Sequence, residues 1–221
     1  MLIRLFTLSI IIFLSAPVLA CLSPIKEDAE NIQSCLDEGY KGSDYAQFML
    51  GLIYYQGDLT EQDLIKSVEW FSKSAEQGFV YSQFNLYVLL SSGEGLPKNM
   101  PAAMNWLQKA AEQDLENAQF SLAQRYDDGE GIEQSSTKAF KYYMLAAEQG
   151  HSGAQNNLGV MYDDGLGVVK NKSRAHMFFY MAALKNEQVA VKNLALMNAE
   201  MTKQELKIAK EYADKWMEEY P

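Results

Sequence analysis

Ala118 to Gly150 reads AQFSLAQRYDDGEGIEQSSTKAFKYYMLAAEQG, and Ala154 to Leu184 repeats its pattern almost position for position. Outward from this stretch the register holds. Gln47, Gln83, Gln119 and Gln155 are each 36 residues apart, as are Gly57, Gly93, Gly129 and Gly165. Large side chains recur at Trp70, Trp106, Tyr142 and Phe178, followed by Phe71, Leu107, Tyr143 and Phe179, and alanine recurs at Ala75, Ala111, Ala147 and Ala183. A fixed period of this size is the mark of a solenoid, in which each unit buries its apolar face only against its neighbours.

Each unit divides into two helices. In Asp44 to Gln56, Phe48, Leu52 and Tyr55 make one stripe, while Gln47, Leu50, Gly51 and Tyr54 make another. Burial on more than one face suits a helix held inside a stack. The glycines at 57, 93, 129 and 165 stand where a helix ends on a left-handed residue. Second helices are expected over Glu61 to Gln77, Pro101 to Gln113, Thr137 to Gln149 and Ser173 to Lys185. Their starts are marked by a Thr60/Asp63 capping box, by Pro101 in the first turn and by Ser135 or Ser136. Gly78 and Gly150 close two of them, with Asp114 and Asn186 as substitutes. Gly51 and Gly159 lie inside first helices, which implies close approach of a neighbouring helix. Tyr87 stands at the same position in the second unit, so packing there should be looser or shifted.

The ends of the chain read differently. Met1 to Ala20 carries one charge, Arg4, then an apolar run from Leu5 to Leu14 and small residues closing on Ala20. This pattern predicts a secretory leader; its apolar run is shorter than the roughly 20 residues of a membrane span. Cys21 follows at once and has two readings. An even cysteine count in an exported chain favours a Cys21 to Cys35 disulfide. Alternatively, Val18 to Cys21 forms a lipoprotein box and Cys21 carries lipid, giving an outer-membrane anchor. Asp28 to Tyr40 is helix-compatible and reads as an N-terminal cap. Gln188 to Asn198 and Thr202 to Tyr220 read as a closing helix pair, with Thr202 and Glu205 as a capping box.

Composition agrees with a folded domain. The chain has 221 residues, 48% hydrophobic and 22% charged, with a net charge of −10. Loss of Arg4 with the leader takes that to −11. Such a surface lacks the basic stripe that neutralises phosphates, which disfavours nucleic acid and anionic membranes as partners. The glycine pairs at 93/95, 129/131 and 165/167 follow helices and lack the third glycine and preceding strand of a dinucleotide site, so they read as turns. Asp127, Asp128 and Glu130 lack the alternating oxygen ligands of a calcium loop. His151 and His176 have no ligand partner at i+4 and no second catalytic group in their motifs, and nucleophile and P-loop signatures are missing. No catalytic, cofactor or metal site is therefore assigned. Tyr45, Tyr81 and Trp216 fall outside the aromatic register; exposed anchors are one reading of them, and packing is the favoured one.

The pattern AQxxLGxxYxxGxGVxxxxxxAxxWxxxAAEQG, best seen in AQNNLGVMYDDGLGV at Ala154 to Val168, resembles that of the SEL-one-like repeat family, relatives of the tetratricopeptide repeat. The resemblance implies an all-α, right-handed superhelix of antiparallel helix pairs that binds a protein or peptide on its concave side. The resulting division is a leader over 1–20, a cap over 21–42, repeats over 43–78, 79–114, 115–150 and 151–186, and a closing pair over 187–221. Cysteine-rich relatives in this class are linked to penicillin-like compounds, which leaves a cell-envelope enzyme or peptidoglycan-binding protein as an alternative, although this chain lacks their cysteine pairs.

The binding face is sought where first helices vary between units while the frame stays fixed. One such stripe is Met49, Asn85, Ser121 and Asn157; a turn later come Ile53, Leu89, Arg125 and Met161, then Gln56, Ser92, Asp128 and Asp164. Asn85, Leu89, Ser121, Arg125, Asp128, Asn157, Met161 and Asp164 are the candidate partner contacts. Asn85, Asn157 and Arg125 are expected to supply directional hydrogen bonds. The overall expectation is a periplasmic or secreted helical scaffold for a protein or peptide partner.

Overall fold

The computed structural model describes residues 28–57, 59–93 and 96–220. The expected leader, Cys21 with both its readings, and part of the Gly93 to Gly95 turn lie outside them. Among the described residues there are eleven α-helices and no strand. In chain order they are α1 (Asp28–Tyr40), α2 (Asp44–Gln56), α3 (Leu64–Glu76), α4 (Val80–Ser92), α5 (Met100–Glu112), α6 (Glu116–Asp128), α7 (Ser136–Glu148), α8 (Ser152–Asp164), α9 (Lys172–Leu184), α10 (Gln188–Glu200) and α11 (Lys203–Glu219). Helices α2 to α9 form four hairpins, each of two thirteen-residue helices, a seven-residue loop and a three-residue turn to the next hairpin. That partition accounts for the 36-residue period.

Local chemistry fixes each boundary. First helices end on Gly57, Gly93, Gly129 and Gly165 with φ of 73°, 71°, 72° and 78°, a conformation in which a side chain is strained. Each loop is closed by a hydrogen bond from the residue capping the second helix back to a first-helix carbonyl. Asp63, Asn99, Ser135 and Asn171 donate their N–H to Tyr54, Leu90, Tyr126 and Tyr162 at 2.8 to 2.9 Å. The same four side chains accept from the helix's own N–H groups. Thr60 therefore does not cap α3; Asp63 does, and the helix begins at Leu64. Gly78, Asp114, Gly150 and Asn186 all adopt positive φ after the second helices, as their placement predicts.

Helix spacing follows from paired side chains. A β-carbon on Gly51 would stand 2.4 Å from the Phe71 ring, and one on Gly159 2.5 Å from Phe179. In the first and fourth repeats the missing side chain is what lets the second helix lay a ring on its first. At Tyr87 the exchange is reversed, because the residue in the Phe71 register is Leu107, and both are buried in one cluster. Large has moved from one helix to the other, so packing there is shifted rather than loosened.

The chain's end breaks the pattern. Only Met201 and Thr202 separate α10 from α11, where every hairpin has a seven-residue loop with a left-handed glycine. With Met201 extended, at φ −83° and ψ 144°, the chain does not fold back, and α11 packs along α9 instead of α10. Ser173 donates to the Glu205 carbonyl at 3.2 Å, and Trp216 packs edge-on against Phe178 at 5.0 Å. Trp216 is buried, which agrees with its favoured reading as packing and excludes the exposed anchor. Tyr45 and Tyr81 are half-buried in a cluster with Phe48 and Phe79.

Candidate partner-binding face

The first helices α2, α4, α6, α8 and α10 present equivalent positions every 36 residues, and the size of the side chains there decides where a face is open. In the N-terminal half the register holds rings. Tyr45 and Tyr81 share one position, and Phe48 and Phe84 another; Phe48 lies 5.1 Å from Phe79 and 6.3 Å from Tyr81. In the C-terminal half the same positions hold Asn117 and Gly153, then Phe120 and Asn156. Bulk fills one half and leaves the other to polar groups.

A row of polar side chains crosses that open half. The Tyr143 side chain of α7 is buried, with Asp127 of α6 and Asn157 of α8 as electrostatic neighbours of its hydroxyl; burial above all pushes its pKa up. Asn156 donates to Asn157 at 3.3 Å, and Asn193 of α10 donates to Asn156 at 3.1 Å. Burial, then the neighbouring Asp128, raise the Asp127 carboxyl above its ordinary range. Ser121, Asn157 and Asn193 occupy one register, and Gln124, Val160 and Leu196 the next, with Val160 and Leu196 exposed. Asp128, Asp164 and Glu200 form an acidic edge on the same helices, all exposed.

The sequence stripe is therefore divided. Ser121, Asp128, Asn157 and Asp164 lie on or beside this open surface. Asn85, Leu89 and Met161 do not: they are 3%, 4% and 2% exposed and belong to the interior. In three of the four units the position of Ile53, Leu89 and Met161 exchanges one buried apolar side chain for another; the third unit places Arg125 there. Arg125 is held by its own chain, donating to the Tyr87 hydroxyl at 3.0 Å and pairing with Glu130, which also bonds Lys98 at 3.2 Å. Asn156 and Asn193 were not singled out in sequence, although Asn193 sits one full period after Asn157.

The histidines serve the fold. His151 caps α8, its Nδ1 accepting from the Ala154 N–H at 3.1 Å, and stacks on Phe120 with ring centroids 4.1 Å apart. Burial pushes its pKa below the ordinary value, and the charge of Lys185 pushes in the same direction. His176 bonds Asn198 at 2.9 Å. Among the described residues no histidine, cysteine and carboxylate side chains gather as metal ligands would. No helix among them is long and apolar enough to cross a membrane.

Comparison with known proteins agrees with this architecture. The Sel1 repeat model matches residues 44–79, 80–115, 117–151 and 152–187. Among solved structures, a Sel1 repeat protein from Oxalobacter formigenes is 28% identical with a TM-score of 0.72, over 78% of this chain and 50% of that one. A protective antigen of uropathogenic Escherichia coli, displaying an SLR fold, is 27% identical with a TM-score of 0.57, over 86% of this chain and 49% of that one. The chain thus spans about half the length of these relatives. No curated protein matches at a significant level. With four registered matches covering most of the solenoid, the chain belongs to the Sel1 repeat family.

Proposed function

We propose that this protein is an exported, non-catalytic scaffold that seats a cationic, amide-bearing protein or peptide segment on the first-helix face of its C-terminal half. Sel1 repeat proteins are typically protein-interaction scaffolds and generally not enzymes. The observation that carries the reading is the hydrogen-bonded run of Asn157, Asn156 and Asn193 across α8 and α10, with Asp127 of the preceding first helix and the Tyr143 hydroxyl as its neighbours, beside exposed Val160 and Leu196. Side-chain amides offer both donors and acceptors to a peptide backbone, and the apolar pair offers an anchor between them. The acidic edge of Asp128, Asp164 and Glu200, on a chain of net charge −10, selects against acidic partners and makes association faster at low salt.

A photo-crosslinking side chain tests the face directly. Placed at Val160 or Gln124, it should capture one reproducible partner in the native envelope; placed at Glu69 or Lys141 on second helices, it should capture none. Equal capture from both sides, or capture from second helices alone, refutes the assignment. Export rests on the leader pattern of Met1 to Ala20. The proposed state of the mature chain is a Cys21 to Cys35 disulfide, and its intact mass should be two hydrogens below that of the reduced chain. A mass raised by acyl chains overturns that and makes the protein an outer-membrane lipoprotein.

A further inference from the structure

The glutamines that set the repeat register form a hydrogen-bond ladder, and the ladder is incomplete at one rung. In the first three repeats the first-helix glutamine donates back to the preceding unit: Gln47 to the Gly39 carbonyl at 2.9 Å, Gln83 to Ala75 at 3.2 Å and Gln119 to Ala111 at 3.4 Å. Its own carbonyl oxygen then accepts, at 2.8 Å each time, from the glutamine that ends the second helix, Gln77, Gln113 or Gln149. In the fourth repeat Gln155 donates to Ala147 at 3.2 Å as before. The residue 36 positions after Gln149, however, is Lys185, whose ammonium donates instead to the Gly150 carbonyl at 2.6 Å. Gln155 Oε1 is left with no partner on a side chain only 1% exposed.

Gln155 stands in the wall of a cavity of about 380 Å³, with the orphaned Oε1 itself shielded just behind that wall. Because α11 lies over α9, the cavity is walled by Trp216 and Tyr220 as well as Met181, with Lys185 and Glu148 at its polar side. One water fills roughly 30 Å³, so the space is that of a side chain rather than of a single solvent molecule.

We propose that this cavity is a receptor site for a glutamine side chain of a partner, which replaces the internal glutamine that the other three repeats supply. The incoming amide nitrogen donates to Gln155 Oε1, its carbonyl oxygen accepts from the Lys185 ammonium, and its aliphatic stem lies against Met181 and Trp216. The same atoms set selectivity. A glutamate would keep the Lys185 contact, and strengthen it, but would set its second oxygen, with no proton to donate, against the carbonyl oxygen of Gln155 and near the charge of Glu148, and a lysine would bring its ammonium against Lys185. A norleucine would leave Gln155 Oε1 unsatisfied. The site is separate from the first-helix face and stands or falls without it.

The test is a titration of the mature chain, followed by the side-chain amide resonances of Gln155 and the indole N–H of Trp216, with three probes: the N-acetyl N-methylamides of glutamine, glutamate and norleucine. The glutamine probe should give saturable shifts of both resonances at millimolar concentration, with binding at least about tenfold weaker for the other two, the factor expected for one hydrogen bond. Lys185→Gln supplies the internal donor and closes the slot; it should raise the melting temperature and weaken the glutamine probe by about tenfold or more. Lys185→Met removes the ammonium but leaves the acceptor open, and should keep a preference for glutamine over norleucine. Equal binding of glutamine and norleucine probes, no saturable shift, or a Lys185→Gln variant that binds like the parent overturns the proposal.

Discussion

Replacing Gly159 with alanine should destabilise the protein, and trimming Phe179 to leucine in the same chain should recover part of the loss. A β-carbon on Gly159 stands 2.5, 2.6 and 2.9 Å from Phe179 Cε1, Cδ1 and Cζ. That is about an ångström inside the 3.5–4.0 Å at which carbon atoms attract. Phe179 is only 3% exposed, so its ring has little room to retreat. Overpacking of this kind costs about 1–3 kcal/mol, against a gain of up to about 1 kcal/mol from exchanging glycine for alanine inside a helix. The net expectation is a loss of about 1–2 kcal/mol. Phe179→Leu alone opens a void and costs about 1–3 kcal/mol. In the double variant the new methyl occupies part of that void, so the two losses should fall short of their sum by at least about 1 kcal/mol. The chain already contains the exchange, with Tyr87 and Leu107 at these positions in the second repeat, both buried. Urea unfolding followed by both far-ultraviolet circular dichroism and tryptophan fluorescence measures the cycle, provided the two transitions coincide. Losses additive within about 0.5 kcal/mol, or a Gly159→Ala chain as stable as the parent, would refute the claim that this pair sets the helix spacing.

Asn85→Leu should stabilise the chain by about 1–3 kcal/mol, since neither polar atom of the buried amide has a partner and the space beside it is lined by Leu52, Tyr55 and Phe71; a lower urea midpoint would show that the amide is satisfied. Thr202→Ala should cost about 1 kcal/mol by removing the capping box of α11, measured by the same unfolding curves, with an unchanged midpoint counting against it. The pH dependence of stability should carry a signature of His151. Its folded pKa is lowered, so its contribution is complete above the ordinary histidine value of about 6.5 and is lost as pH falls from there through the folded value. The melting temperature should drop over that window in the parent and drop less in His151→Asn, which keeps a capping side chain but does not titrate; parallel curves would show that the imidazole is not responsible.

Most of the fold was legible because the repeat states each instruction four times. Glycine at 57, 93, 129 and 165 and the positive φ of Gly78, Asp114, Gly150 and Asn186 follow from backbone conformation alone, which sequence encodes directly. The α3 start was misread because Thr60 and Asp63 both resemble caps, and only the loop's closing bond from Asp63 to Tyr54 selects between them. The candidate face was half legible. Variation at a helical position marks either a surface or a core that tolerates exchange, and periodicity cannot separate the two. The positions of Met161 and Asp164 both vary across the repeats, yet one is 2% exposed and the other is on the surface. What separates them is the neighbouring helix, which the sequence of α8 does not contain.

The end of the solenoid is the sharpest case, because the information was present and lay in a length rather than in a residue type. The register continues into α10, where Met197 stands one period after Met161 and both are buried. What stops it is the two-residue link of Met201 and Thr202, too short to replace a seven-residue loop and without its glycine. A hairpin cannot close across that link, so the α10 side that would meet its own second helix stays bare. Val191 stands in the register of the four ladder glutamines and is 44% exposed where Gln155 is 1%. The same displacement carries α11 onto α9 and brings Trp216 and Tyr220 over the incomplete rung at Gln155. A short link thus has two consequences for one physical reason: it terminates the stack of hairpins, and it builds a lined cavity where the ladder loses its last donor. Both follow from counting residues between helices, a quantity that motif and periodicity searches pass over.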